Sequence, residues 1–249
     1  MVEDRILYNK KDHIGWITLN RPQAKNHFDL VMAQELVETC TQINGDHDVN
    51  AIFLTGKGSS FCTGVDFSWQ EKMATVSVVE AVAELISPTL AVVNGDAIGF
   101  GLELALACDL RIAVDSACCG LPQISEGRIP MNGGTQRLSR LVGKSQALEM
   151  VLTGELLDAQ SAFKIGLFNK VVKSSDLHSE VEKLAADLST KAPLALRYMK
   201  EAINKGLDMT LEQGLRLEAD LYFLLHTTAD RTEGVNSFLQ KRKPKFTGK

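Results

Sequence analysis

VNGDAIGFGLELALACDLRIAVDSACCGLPQISEGRIPMNGGTQR, residues Val93 to Arg137, is the stretch that decides how this chain is read. The run Leu90–Val93 has the composition of a buried strand and feeds a glycine-bounded turn, Gly99-Phe100-Gly101. Behind the turn, Leu102 to Cys108 is apolar on every side of a helix except for one carboxylate, Glu103. A helix apolar all round is expected to be buried. The first-turn N–H groups of a helix lack intrahelical acceptors, and the dipole there favours negative charge. A ligand oxygen placed against that end is stabilised as charge builds on it. A Glu in a first turn is favoured by the dipole whatever its role. A buried one is raised in pKa, which suits proton transfer and marks Glu103 as a candidate acid–base.

Working outward, Ile14–Leu19 and Ala51–Thr55 read as strands around a helical stretch from Asp29 to Asn44, and Arg111–Val114 leaves the central helix as another strand. Such alternation marks an α/β fold with repeated βαβ units. From Leu177 the pattern turns helical: Leu177–Ser189, Pro193–Lys205, Thr210–His226 and Ala229–Gln240. The 249 residues suit one domain with a small appendage, divided as an α/β core over 1–190 and a C-terminal helical region over 191–249.

Composition narrows the function classes. A net charge of −4 argues against a nucleic-acid binder. No apolar run approaches the roughly 20 residues that span a bilayer, and the charged N-terminus lacks a signal-peptide core, so a cytoplasmic protein is expected. Cys40, Cys62, Cys108, Cys118 and Cys119 show no metal spacing and read as reduced thiols, the adjacent pair as part of a buried strand rather than a redox couple. Gly143-Lys144-Ser145 ends like a P-loop, but Leu138 stands where its first glycine belongs. Gly99-Phe100-Gly101 opens like a dinucleotide fingerprint, but Leu104 stands at the third glycine. Neither metal nor nucleotide cofactor is expected.

The order Gly-x-Gly-x-Glu-x-Ala-x-Ala-Cys-Asp-x-Arg from Gly99, then Gly120-Leu121-Pro122, Gly127-x-x-Pro130 and Gly133-Gly134-Thr135-Gln136-Arg137-Leu138, resembles the crotonase (enoyl-CoA hydratase/isomerase) family. Asn20-Arg21-Pro22 with Lys25-Asn26, Gly64-Val65-Asp66-Phe67, and Phe238 to Lys243 fall in the family's order. The resemblance implies a spiral of ββα units whose C-terminal helices cover the acyl pocket or build a homotrimer or dimer of trimers. It implies an acyl-CoA thioester substrate and an oxyanion hole made by the backbone N–H groups of Val65 and Phe100. Each glycine turn alone would be read as a plain strand-to-helix connection. On the same footing Glu103 is one of two catalytic carboxylates, and Lys25, His27, Thr63, Asp66, Phe67, Pro122, Met131 and Lys241 contact substrate or CoA.

One departure bears on the chemistry. Hydratases of this family usually carry Gly-x-Pro-Glu, whereas this chain has Gly120-Leu121-Pro122-Gln123. Gln123 can hold a water but cannot exchange a proton, and a positioned acid or base contributes about 10²–10⁴-fold in rate. Glu126, three residues on, is either a relocated acid or drift on an exposed turn. The stretch after Asp66 is also shorter than in typical hydratases, which points to a different acyl group. The expectation is hydration of an α,β-unsaturated acyl-CoA. The alternatives are isomerisation, decarboxylation or thioester hydrolysis using Glu103 alone, or a non-catalytic acyl-CoA-binding protein.

Overall fold

The computed structural model describes residues 4–66 and 77–249. Strands β1 (Ile6–Lys11) and β2 (Ile14–Leu19) form an antiparallel hairpin. Its two turn residues, Asp12 and His13, both have positive φ, the geometry that matches strand twist. Three similar passages follow. Helix α1 (Leu30–Asn44) leads to β3 (Ala51–Gly56) and β4 (Ser60–Cys62); α2 (Val78–Ala83) precedes β5 (Thr89–Val93) and β6 (Asp96–Ile98); α3 (Phe100–Ala107) precedes β7 (Leu110–Val114) and β8 (Cys118–Gly120). A 3-10 turn, Pro122–Glu126, leads on to α4 (Gly134–Val142), α5 (Lys144–Thr153), β9 (Leu157–Asp158), α6 (Ala159–Lys164) and β10 (Lys170–Val172). The chain ends in α7 (Leu177–Ser189), α8 (Pro193–Gly206), α9 (Leu211–His226) and α10 (Ala229–Leu239).

Each passage gives one strand to each of two sheets. The larger sheet runs β1-β2-β3-β5-β7-β10 and the smaller β4-β6-β8-β9. From β2 to β10 the larger sheet is parallel, and β4, β6 and β8 are parallel neighbours in the smaller one. This is the expected spiral of ββα units.

A parallel sheet covered on both faces needs apolar side chains on both. Along β3, Ile52 and Leu54 enter the main core while Ala51 and Phe53 join a second cluster. Along β5, Ala91 and Val93 face the main core and Leu90 and Val92 the other. Val181 and Ala185 of α7 close that second face. The helix starts are chemically marked: Asp29 caps α1 by accepting the Met32 N–H at 2.9 Å, and Thr210 with Gln213 forms a capping box on α9. All eight residues of α3 are buried, as a pattern apolar at every position but Glu103 leads one to expect. Cys118 and Cys119 lie on β8, and all five cysteines are free. Burial pushes the thiols of Cys40, Cys62, Cys108 and Cys119 up to about 12, which leaves them as inert core groups. No helix among the described residues is long and apolar enough to cross a membrane.

Candidate active site

The ends of β4, β6 and β8 converge on a cavity of about 160 Å³, lined by His27, Thr63, Gly64 and Val65 on one side, Gly99, Phe100 and Glu103 on another, and Pro122, Gln123, Glu126 and Met131 on a third. Both glycine turns need their glycines. Gly64 has φ +143° and Gly99 φ +58°, conformations that side chains rarely adopt. Next door, a Cβ on Gly101 would fall 1.9 Å from the Cys62 carbonyl oxygen, so this glycine lets α3 press directly against β4.

Val65 forms a single parallel bridge with Phe28, in which Phe28 N–H donates to Gly64 O and Asp66 N–H donates to Phe28 O. That ladder therefore uses the amides on either side of Val65 and leaves the Val65 N–H facing the other way. Phe100 is the first residue of α3, in the helix's first turn. Its ring packs on Phe28 with 4.9 Å between centroids, inside the core.

Glu103 is 2% exposed. Its Oε1 accepts the backbone N–H groups of Asn132 at 2.7 Å and Gly134 at 3.1 Å. Its Oε2 is approached by Gln123 Nε2 at 3.4 Å. Burial raises its pKa, offset in part by those two N–H groups and by the nearby Arg137. The Arg137 guanidinium donates to Asn132 O at 3.0 Å and pairs with Glu80 at 3.0 Å, which anchors the loop that grips the carboxylate. One carboxylate oxygen is thus committed to structure, and the other faces Gln123. Gln123 is itself buried, and its Oε1 has no hydrogen-bond partner among the described residues. A buried amide oxygen without a donor is a place for a water or a ligand group.

The remaining expected residues divide. Pro122 and Met131 line the cavity with Thr63 and His27. Asp66 is held by Arg21 at 3.1 Å and stands beside His27. Lys25 is exposed, in a left-handed conformation that lets its carbonyl accept the Thr63 N–H at 3.2 Å. Phe67 lies outside the described residues. One expectation needs correcting. Glu126 reaches the cavity mouth, but its carboxylate is exposed and paired with Arg128, so it is not a buried acid beside Glu103. Lys241 follows α10, and its neighbour Arg242 is tied to Glu233. The sequence alone does not single out Asn132, Gly134 and Arg137 as partners of Glu103, although the last two belong to the Gly-Gly-Thr-Gln-Arg-Leu motif.

The sequence profile of the enoyl-CoA hydratase/isomerase family matches residues 9–249. The chain belongs to this family. It is 41% identical over 257 residues to the Bacillus subtilis enoyl-CoA hydratase/isomerase family protein YngF, covering 98% of this chain and 99% of the relative. A crotonyl-CoA hydratase of Syntrophomonas wolfei is 35% identical over 260 residues, all of both chains. The crystal structure of an enoyl-CoA hydratase from Bacillus anthracis superimposes with a TM-score of 0.95 at 36% identity, covering 98% of this chain and 100% of that one. The architecture is therefore the crotonase fold over nearly the whole chain, and the cavity around Glu103 is the candidate centre of a crotonase-family enzyme.

Proposed function

We propose that this protein adds water to an α,β-unsaturated acyl-CoA thioester, in line with the relatives named as hydratases. The thioester carbonyl takes its place between the N–H groups of Val65 and Phe100, which act as an oxyanion hole and stabilise the enolate. Glu103 Oε2 removes a proton from water attacking the β-carbon, while Gln123 Oε1 accepts that water's other hydrogen, and the Glu103 carboxyl then gives its proton to the α-carbon as the enolate collapses. The observation that carries this reading is the buried Glu103, met at Oε2 by the amide nitrogen of a buried Gln123 whose oxygen has no hydrogen-bond partner among the described residues. Steady-state turnover of crotonyl-CoA, followed by loss of its enone absorbance, tests it. A protein that binds crotonyl-CoA without turnover overturns it.

The substitution at Gln123 favours a second reading, in which Glu103 alone drives double-bond migration, decarboxylation or another enolate reaction. In both readings the chain needs no metal or nucleotide, and activity is expected to survive a chelator. We further propose self-association through the C-terminal helices, whose Phe223 and Phe238 are 67% and 82% exposed. Exposed apolar area of that kind marks an interface.

A further inference from the structure

A second arrangement in the same cavity is independent of Glu103. Thr63 Oγ1 and His27 Nε2 are 2.8 Å apart. The other ring nitrogen, His27 Nδ1, lies 3.9 Å from Asp66 Oδ1. Arg21 holds both partners of that pair: its Nη1 donates to the His27 carbonyl at 2.5 Å and to Asp66 Oδ2 at 3.1 Å. Asn26 fixes β4, which ends one residue before Thr63, its Nδ2 donating to Ser60 O at 2.8 Å and Phe61 O at 3.1 Å, while its Oδ1 accepts the Arg21 N–H at 2.9 Å. A hydroxyl and an imidazole are therefore in hydrogen-bond contact, with a carboxylate held by a shared arginine close to the ring's other nitrogen. Hydroxyl within reach of a base, and the base oriented by a third group, is the arrangement that activates an oxygen nucleophile. Thr63 stands two residues before Val65, so hydroxyl and proposed oxyanion donor share one turn.

We propose that Thr63, His27 and Asp66 form an acyl-transfer triad that cleaves acyl-CoA thioesters, a second activity of the cavity. This rests on the reading above only in using the same acyl-CoA and the same carbonyl site. His27 Nε2 takes the Thr63 hydroxyl proton as Oγ1 bonds to the thioester carbonyl carbon. The C–S bond then breaks, its electron pair stays on sulfur, and the sulfur takes the proton from His27 to leave as free CoA thiol. Water repeats the sequence on the Thr63 ester, releasing the carboxylic acid and restoring the hydroxyl. Asp66 is a positioning residue that balances the transient charge of the imidazole across the 3.9 Å gap to Nδ1.

Butyryl-CoA separates this activity from hydration because it has no double bond to hydrate. Release of free thiol from butyryl-CoA is measured for the full-length protein beside crotonyl-CoA hydration in the same preparation. Thiol release above the protein-free control is expected, with at least a tenfold loss in both Thr63→Ala and His27→Gln and retention in Thr63→Ser. No release by the wild-type protein overturns the triad, and so does equal release by Thr63→Ala. Hydration without thiol release removes the triad alone, whereas thiol release without hydration leaves the triad and removes the hydratase reading.

Discussion

Gly134 donates its backbone N–H to Glu103 Oε1 at 3.1 Å, so a carboxylate from α3 caps the first turn of α4. The candidate base is thus also a structural tie between two helices. Replacing it by glutamine keeps an acceptor oxygen for Gly134 and Asn132 and removes only the ability to move a proton.

Glu103→Gln is expected to lower turnover at least about 100-fold with acyl-CoA affinity little changed. Glu103→Ala should also lose stability, about 1–3 kcal/mol, because the Asn132 and Gly134 N–H groups lose their acceptor. Steady-state kinetics and urea denaturation of the two variants measure the two effects separately.

The raised pKa of Glu103 fixes the sign of a pH effect. Between the unfolded and the folded pKa the native state holds the extra proton. The contribution of Glu103 to stability is therefore full below its unfolded pKa and is lost as pH rises through the folded value. Glu103→Gln should gain on the wild type as pH rises, in denaturation curves taken across that range. Catalysis runs the opposite way: a base must be ionised, so kcat should fall on the acid side at a pH raised from that of an ordinary glutamate. A wild-type acid limb at an ordinary glutamate pKa would count against Glu103 as the base.

Much of this was legible before the fold was known. Ile14–Leu19 and Leu177–Ser189 match β2 and α7 residue for residue, because alternation in the one and helical periodicity in the other carry the signal. The burial of Glu103 followed from the apolar residues on all sides of α3. The three-residue strands β4, β6 and β8 are too short to show alternation, so the division into two sheets was hidden. Equally hidden were the N–H groups that hold Glu103, which come from 29 and 31 residues away. The Thr63–His27 hydrogen bond spans 36 residues, with no local pattern to announce it.

Gln123→Glu would set a second carboxyl beside Glu103 Oε2, where like-charge coupling keeps one of the two protonated and able to act as an acid. Crotonyl-CoA hydration should rise by about ten- to a hundredfold. An unchanged or lower kcat would show that the missing proton at this position does not limit the reaction.

Glu126 is tied to Arg128 at the surface, and exposed pairs contribute little. Glu126→Gln is expected to change kcat by less than about tenfold, below the range for a positioned acid. A loss matching that of Glu103→Gln would restore Glu126 as the second proton donor.

The apolar residues left uncovered on α9 and at the end of α10 set an expectation for assembly. Phe223→Asp combined with Phe238→Asp should lower the mass seen by sedimentation to that of a single chain. A wild-type protein that already sediments as a single chain would remove the proposed self-association.

The spiral supplies successive strands to the smaller sheet, and its consequence is modularity. The exits of β4, β6 and β8 bring the hydroxyl, the helix-borne carboxylate and the amide into one chamber from three separate coils, beside the imidazole from the turn before α1. Each exit can be re-equipped by a single substitution while the ladder beneath keeps its register, since the pairing of Cys62 with Ala97 and of Ile98 with Gly120 runs through backbone groups alone. An exchange such as glutamate for glutamine at position 123 can then redirect the chemistry of one wall while leaving the other two in place.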